Sequence, residues 1–130
     1  MPSKKEKIKI LIVDDEEAVR AALKWRLDNS DTFIIEEASN GKETLEKVEM
    51  DKPDIILLDV TMPIMDGLQT YKKLKENPET KHIHVIFSTA RTYTDIARLL
   101  PIGADEYIEK TCEIDQLHTR INKIIGLINK

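Results

Sequence analysis

The chain has 130 residues, 34% of them charged, with a net charge of −4 and one cysteine. That length suits one domain with a sizeable core. The acidic balance, with Lys4, Lys5, Lys7 and Lys9 forming a basic cluster at the start, argues against the basic stripe of a nucleic-acid-binding module, and a lone cysteine excludes an intrachain disulfide.

Strand and helix signals alternate five times, the pattern of an α/β doubly wound domain with a parallel sheet. The first strand is expected at about Lys9 to Val13 and the first helix at about Glu16 to Leu27, with Val19, Leu23, Arg26 and Leu27 on one face and Trp25 off it. A second strand, Phe33 to Glu37, precedes a helix from about Gly41 to Met50 carrying Leu45 and Val48. Pro53 leads into the third strand, Asp54 to Asp59, and the loop Met62-Pro63-Ile64-Met65-Asp66-Gly67 leads to a helix over Leu68 to Glu76 that stops before Asn77-Pro78. The fourth strand is Ile83 to Ser88. A fourth helix, about Thr94 to Leu100, is cut short by Pro101, and Gly103 supplies its exit turn. The fifth strand is Glu106 to Glu109, and the fifth helix runs from about Ile114 to Ile128, with Ile114, Leu117, Ile121, Ile124, Ile125 and Ile128 at helical spacing. One domain over 1–130, structured from about 8 to 128, is expected, with no output domain in the chain.

No apolar run approaches a membrane span, and Met1 to Ile10 lacks the apolar core of a signal peptide. The expected setting is cytoplasmic, with no membrane partner and no direct nucleic-acid partner. Cys112, followed by Glu113 and Ile114, reads as a small packed hydrophobe rather than a catalytic thiol.

Four of the strands run out into polar residues: Asp14-Asp15, Asp59, Thr89 and Lys110. In an open parallel sheet, ligands bind outside the carboxyl ends of the strands, where the strand order reverses. Three carboxylates, a hydroxyl and a lysine would converge there. Crowded carboxylates ask for a hard cation such as Mg²⁺, and the hydroxyl and lysine ask for an anion such as a phosphoryl group. Singly these residues are ordinary. Acidic pairs often cap helices, strand-end threonines are often turn residues, and a lysine after an edge strand is usually solvated. Ser88 competes with Thr89 as the hydroxyl; Thr89 is preferred because it directly precedes the turn at Ala90.

As an ordered set, ILIVDDEE, DIILLDVTMPIMDG, VIFSTAR and GADEYIEK resemble the receiver domain of two-component response regulators, the chemotaxis-regulator type of flavodoxin-like fold, over essentially the whole chain. The resemblance implies a five-stranded sheet in the order 2-1-3-4-5 flanked by five helices. It implies that Asp59 accepts a phosphoryl group from a phosphohistidine on a sensor histidine kinase or a histidine phosphotransfer protein. Asp15 and Asp59 would ligate Mg²⁺ directly, with Asp14 acting through water and the Thr61 carbonyl completing the protein ligands. Thr89 and Lys110 would bind the phosphoryl oxygens. Tyr107 sits where the family has its aromatic switch residue; its simpler role is a half-buried aromatic on an edge strand. The expected function is a phosphoacceptor switch in a two-component or phosphorelay system. It would catalyse only its own phosphorylation and dephosphorylation and reshape the face made by the fourth helix, fifth strand and fifth helix for a protein target or a missing output domain.

Three departures from the family pattern stand out. Thr111 follows Lys110 where a proline is usual, leaving the peptide open as cis or trans; Pro101 shortens the fourth helix; Thr61 and Arg91 occupy the two positions that tune phosphoryl lifetime. Two rivals come from other classes. An aspartyl-phosphate phosphatase wants a second aspartate two residues after the nucleophile, where Thr61 stands. A flavin-binding module wants a phosphate loop after the first strand, where Asp14-Asp15-Glu16-Glu17 would repel an anion.

Overall fold

A computed structural model describes residues 7–27, 32–89, 107–109 and 114–128. The expected fourth helix, with Pro101 and Gly103, lies outside them, as do Arg91, Lys110, Thr111 and Cys112. Five strands, β1 (Ile8–Val13), β2 (Phe33–Ala38), β3 (Ile55–Asp59), β4 (His84–Thr89) and β5 (Tyr107–Glu109), form one sheet in the order β2-β1-β3-β4-β5. Every pairing is parallel, as the short apolar runs between helices imply. The helices are α1 (Glu17–Leu27), α2 (Gly41–Met50), α3 (Gly67–Glu76) and α4 (Ile114–Ile128), the last being the fifth helix expected from sequence.

Alternation along each strand sorts the core into two layers. Ile10, Ile12, Ile55, Leu57 and Ile86 pack on one face with Leu23 and Leu27 of α1 and Leu117, Ile121 and Ile124 of α4. Leu11, Val13, Ile56, Leu58 and Phe87 pack on the other with Val48 of α2 and Leu74 of α3. β3 is buried along its whole length because helices cover both its faces, which is why IILLD contains no polar residue before Asp59. β2 lies at the sheet edge and alternates half-buried with exposed positions. Trp25 is 74% exposed, in keeping with its place off the core face of α1.

The element ends depart from the sequence expectation by one residue in several places. Ile8 joins β1 because its N–H reaches the Thr32 carbonyl at 2.9 Å, and Thr89 joins β4 opposite Glu109. Glu16 is not helical; its carbonyl accepts the first helical hydrogen bonds, from Val19 and Arg20 at 3.1 Å. Asp54 falls just before β3, where it braces three strands. Its carboxylate accepts from Lys9 N–H at 2.9 Å, its N–H donates to the Lys9 carbonyl at 2.9 Å, and its carbonyl accepts from His84 N–H at 3.2 Å.

Candidate functional site

The strand order reverses between β1 and β3, and the site lies beyond their carboxyl ends. Their register pairs Ile10 with Ile55, Ile12 with Leu57 and Val13 with Leu58. Continued by one residue, it sets Asp14 beside Asp59. Asp14 extends the row Ile10–Ile12, and Asp59 the row Ile55–Leu57, so both carboxylates grow out of the layer covered by α1 and α4.

Carboxylate oxygens of Asp14, Asp15 and Asp59 all lie within 4.8 Å of one another. Asp14 is 1% exposed and Asp59 2%, while Asp15 faces solvent. Asp14 is fixed by its backbone and its side chain. Its N–H donates to the Ala38 carbonyl at 3.2 Å, and its Oδ1 accepts the Glu16 N–H at 2.9 Å. Asp59 Oδ1 accepts a long bond of 3.4 Å from the N–H of exposed Thr61. Three oxygen donors with this much like charge suit a hard divalent cation that keeps several of its own waters.

The loop leaving Asp59 is pinned at each end. Val60 N–H donates to the Ser88 carbonyl at 3.3 Å, and Gly67 N–H returns to the Val60 carbonyl at 2.9 Å. Asp66 caps α3 in a reciprocal capping box with Gln69. Gly67 is required here: a Cβ on it would lie 2.0 Å from the Asp59 carbonyl oxygen. Between the pins, Met65 N–H donates back to the Pro63 carbonyl at 2.7 Å, closing a three-residue turn about Ile64, whose φ is 71°. Such a turn with positive φ is rare and strained, more so for a β-branched residue, and the Ile64 side chain is 76% exposed. The Met65 carbonyl in turn accepts the N–H of Gly41, at the start of α2, at 3.2 Å.

Thr89 closes β4, one residue past the Asp59–Ser88 pair, so its backbone stands at the rim of the acidic group. Ser88, its competitor, is buried, and its hydroxyl has no hydrogen-bond partner among the described residues. Tyr107 opens β5 opposite Phe87, two residues back from Thr89. Thus the three carboxylates come together and the Thr89 and Tyr107 backbones are placed on adjacent strands; Lys110 and Arg91 lie outside the described residues.

Two features of the site were not drawn from the sequence. One is the Ile64 turn. The other is Arg20 on α1, whose Nη1 donates to the Asp14 carbonyl at 2.7 Å and whose Nε donates to Glu37 Oε1 at 3.0 Å. Its available signal was an arginine six residues past Asp14, with an acid at the end of the neighbouring strand. On the far side of β2, Glu43 of α2 accepts from both the N–H and the hydroxyl of Ser39, and those bonds, the backbone one foremost, hold its carboxyl below the usual range.

Residues 10–122 match the family model of the response regulator receiver domain. The chain is 34% identical to the alkaline phosphatase synthesis transcriptional regulatory protein PhoP of Bacillus subtilis over 117 residues, 90% of this chain and 48% of that protein. It is 38% identical to the nitrate/nitrite response regulator protein NarL of Escherichia coli over 116 residues, 88% of this chain and 53% of that one. The chain therefore spans about half the length of these curated relatives. Among solved structures, the signal receiver domain of a signal transduction histidine kinase from Syntrophus aciditrophicus superposes with a TM-score of 0.85 at 32% identity, covering 94% of this chain and 92% of that one.

Proposed function

This chain belongs to the response regulator receiver family, a family of phosphoacceptor signalling domains, and from that premise we propose how its acidic site works. Asp59 is the phosphoacceptor. Its carboxylate oxygen attacks the phosphorus of a phosphohistidine; the new O–P bond forms as the P–N bond breaks, and the imidazole leaves as the donor's own side chain. The donor is a sensor histidine kinase or a histidine phosphotransfer protein. The observation that carries this reading is the meeting of Asp14, Asp15 and Asp59 within 4.8 Å at the β1 and β3 ends.

The donor set fits Mg²⁺: all oxygen, concentrated in charge, and open to water on the Asp15 side. Asp15, Asp59 and the Thr61 carbonyl would hold the ion, with Asp14 acting through water. When bound, Mg²⁺ would supply charge neutralisation for the phosphoryl transfer. Thr89 and Lys110 bind those oxygens from β4 and from just past β5. Thr89 moves toward the phosphoryl group, Tyr107 follows, and the face formed by the sequence-predicted fourth helix, β5 and α4 changes shape. Thr61 and Arg91 set how long the phosphoryl group lasts.

A protein surface, or a domain beyond this chain, reads that face. PhoP and NarL are each about twice the length matched, and a segment of the histidine kinase P4 of Formosa agariphila matches 95% of this chain while making up only 9% of that protein. The chemistry is confined to gaining and losing the protein's own phosphoryl group. A cytoplasmic setting suits the lone cysteine, and among the described residues no helix is long and apolar enough to cross a membrane.

Acetyl phosphate with Mg²⁺ tests the assignment. Intact mass should rise by one base-labile phosphoryl group, and Asp59→Asn should not gain it. An adduct that persists in Asp59→Asn places the acceptor elsewhere.

A further inference from the structure

We infer that Arg20 is a positioning residue for the metal-binding peptide, held in place by Glu37. The inference rests on Asp14, Asp15 and Asp59 forming a cation site. The peptide that joins Asp14 to Asp15 carries two of the three carboxylates, so the orientation of that one amide plane sets where both side chains start. Its carbonyl oxygen belongs to Asp14 and receives the Arg20 Nη1–H at 2.7 Å. The bond is charge-assisted and reaches from α1 back to the end of β1, only 16% of the Arg20 side chain being exposed.

Arg20 is itself oriented. Its Nε donates to Glu37 Oε1 at 3.0 Å, on β2. Glu37 is held by a second cation, Lys24 at 3.8 Å, and its backbone carbonyl accepts from Lys47 of α2. One guanidinium thus bridges two acceptors from different strands. A planar fork does this with little extra loss of side-chain freedom; a lysine ammonium on a flexible stem does it poorly. Arg20 has no acceptor atom to offer a cation, and Asp15, on the other side of the same peptide, stays exposed to solvent. With Arg20 in place, Asp14 is tied at its N–H to Ala38, at its carbonyl to α1 and at its carboxylate to Glu16.

The test is calorimetric titration of MgCl₂ into the parent chain, Arg20→Ala, Arg20→Lys, Glu37→Gln and the Arg20→Ala, Glu37→Gln double variant. Each is also melted in excess EDTA. Removing a group that orients metal ligands weakens affinity by about 10–100-fold; Arg20→Ala is expected at about tenfold. Arg20→Lys and Glu37→Gln should fall between it and the parent. The double variant should bind no more weakly than Arg20→Ala alone, because Glu37 acts through Arg20. A purely structural role would lower the melting point in EDTA and leave Mg²⁺ affinity unchanged. A parent that takes up no Mg²⁺ overturns the metal site and this inference with it. A parent that binds while Arg20→Ala binds equally tightly overturns this inference alone. Where Arg20→Ala does not fold, parent-like affinity in both Arg20→Lys and Glu37→Gln does the same.

Discussion

Replacing Ile64 by asparagine should make the protein more stable. A β-branched L-residue held at positive φ in a three-residue turn costs about 1–3 kcal/mol, and asparagine enters positive φ several times more readily than other L-residues. Ile64 has φ 71° and a side chain 76% in water, so little packing is lost in exchange. The lost apolar contact is about 0.5 kcal/mol at most. A net gain of about 1 kcal/mol follows. At about 2.1 cal/mol/K of unfolding entropy per residue, a chain of this length should melt about 4 °C higher. Thermal melts followed by circular dichroism in EDTA measure this without a metal contribution. Ile64→Val is the control: it stays β-branched, keeps the strain and should melt with the parent. Ile64→Gly should fall below asparagine, since glycine enlarges the freedom of the unfolded chain. An asparagine variant that melts at or below the parent would show that the Pro63–Met65 turn holds isoleucine without strain.

Mg²⁺ should raise the melting point of the parent in a concentration-dependent way, because a ligand confined to the folded state adds to its stability; Asp15→Asn should lose most of that response, and an identical titration would remove Asp15 from the site. Gly67→Ala should cost about 3 kcal/mol in urea unfolding, since its new methyl meets the Asp59 backbone at 2.0 Å rather than a side chain that can swing away; a loss below 1 kcal/mol would mean that the loop yields. Burial, helped by the nearby charges of Lys75 and His82, holds His84 below its ordinary value of 6.5. Its contribution to stability is therefore present above pH 6.5 and lost as the pH falls below it. Melts between pH 7.5 and 5.5 should flatten in His84→Gln, and an unchanged slope would clear His84 of the effect. Thr61→Asn with Arg91→Glu should shorten the life of phospho-Asp59, because a side-chain amide and a carboxylate can orient water where a short hydroxyl and a cation do not; an unchanged or slower decay of the phosphorylated mass would reverse the assignment.

The parallel sheet was legible because DIILLD and IKILIV are short apolar runs ending in acids, with helical segments between them, whereas the strand order came from the family resemblance. The acidic trio followed, since a parallel sheet brings neighbouring strand ends together whatever the loops do. Asp54 was harder. An acid next to a strand looks like part of the run until its bonds to Lys9 and His84 show it to be a brace. Ile64 carried no signal. Positive φ is announced by glycine or asparagine, and here an isoleucine is held in that region by bonds made by its neighbours. Arg20 was hidden for a different reason. Helical periodicity marks it as a polar position on α1, and its two acceptors belong to other elements, joined to it only by folding.

The alternating rows of the sheet also have a mechanical consequence. Asp14 and Asp59 each terminate a file of side chains seated against α1 and α4: Ile10–Ile12 in one, Ile55–Leu57 in the other. The opposite layer, under α2 and α3, contributes neither carboxylate. The two layers share a backbone but form separate packing units, the kind of division along which proteins open locally. A displacement at Asp59 is therefore shared with Leu57 and with the α1 and α4 side chains of that layer, among them Leu23, Leu27, Leu117 and Ile121, because close-packed interiors transmit strain.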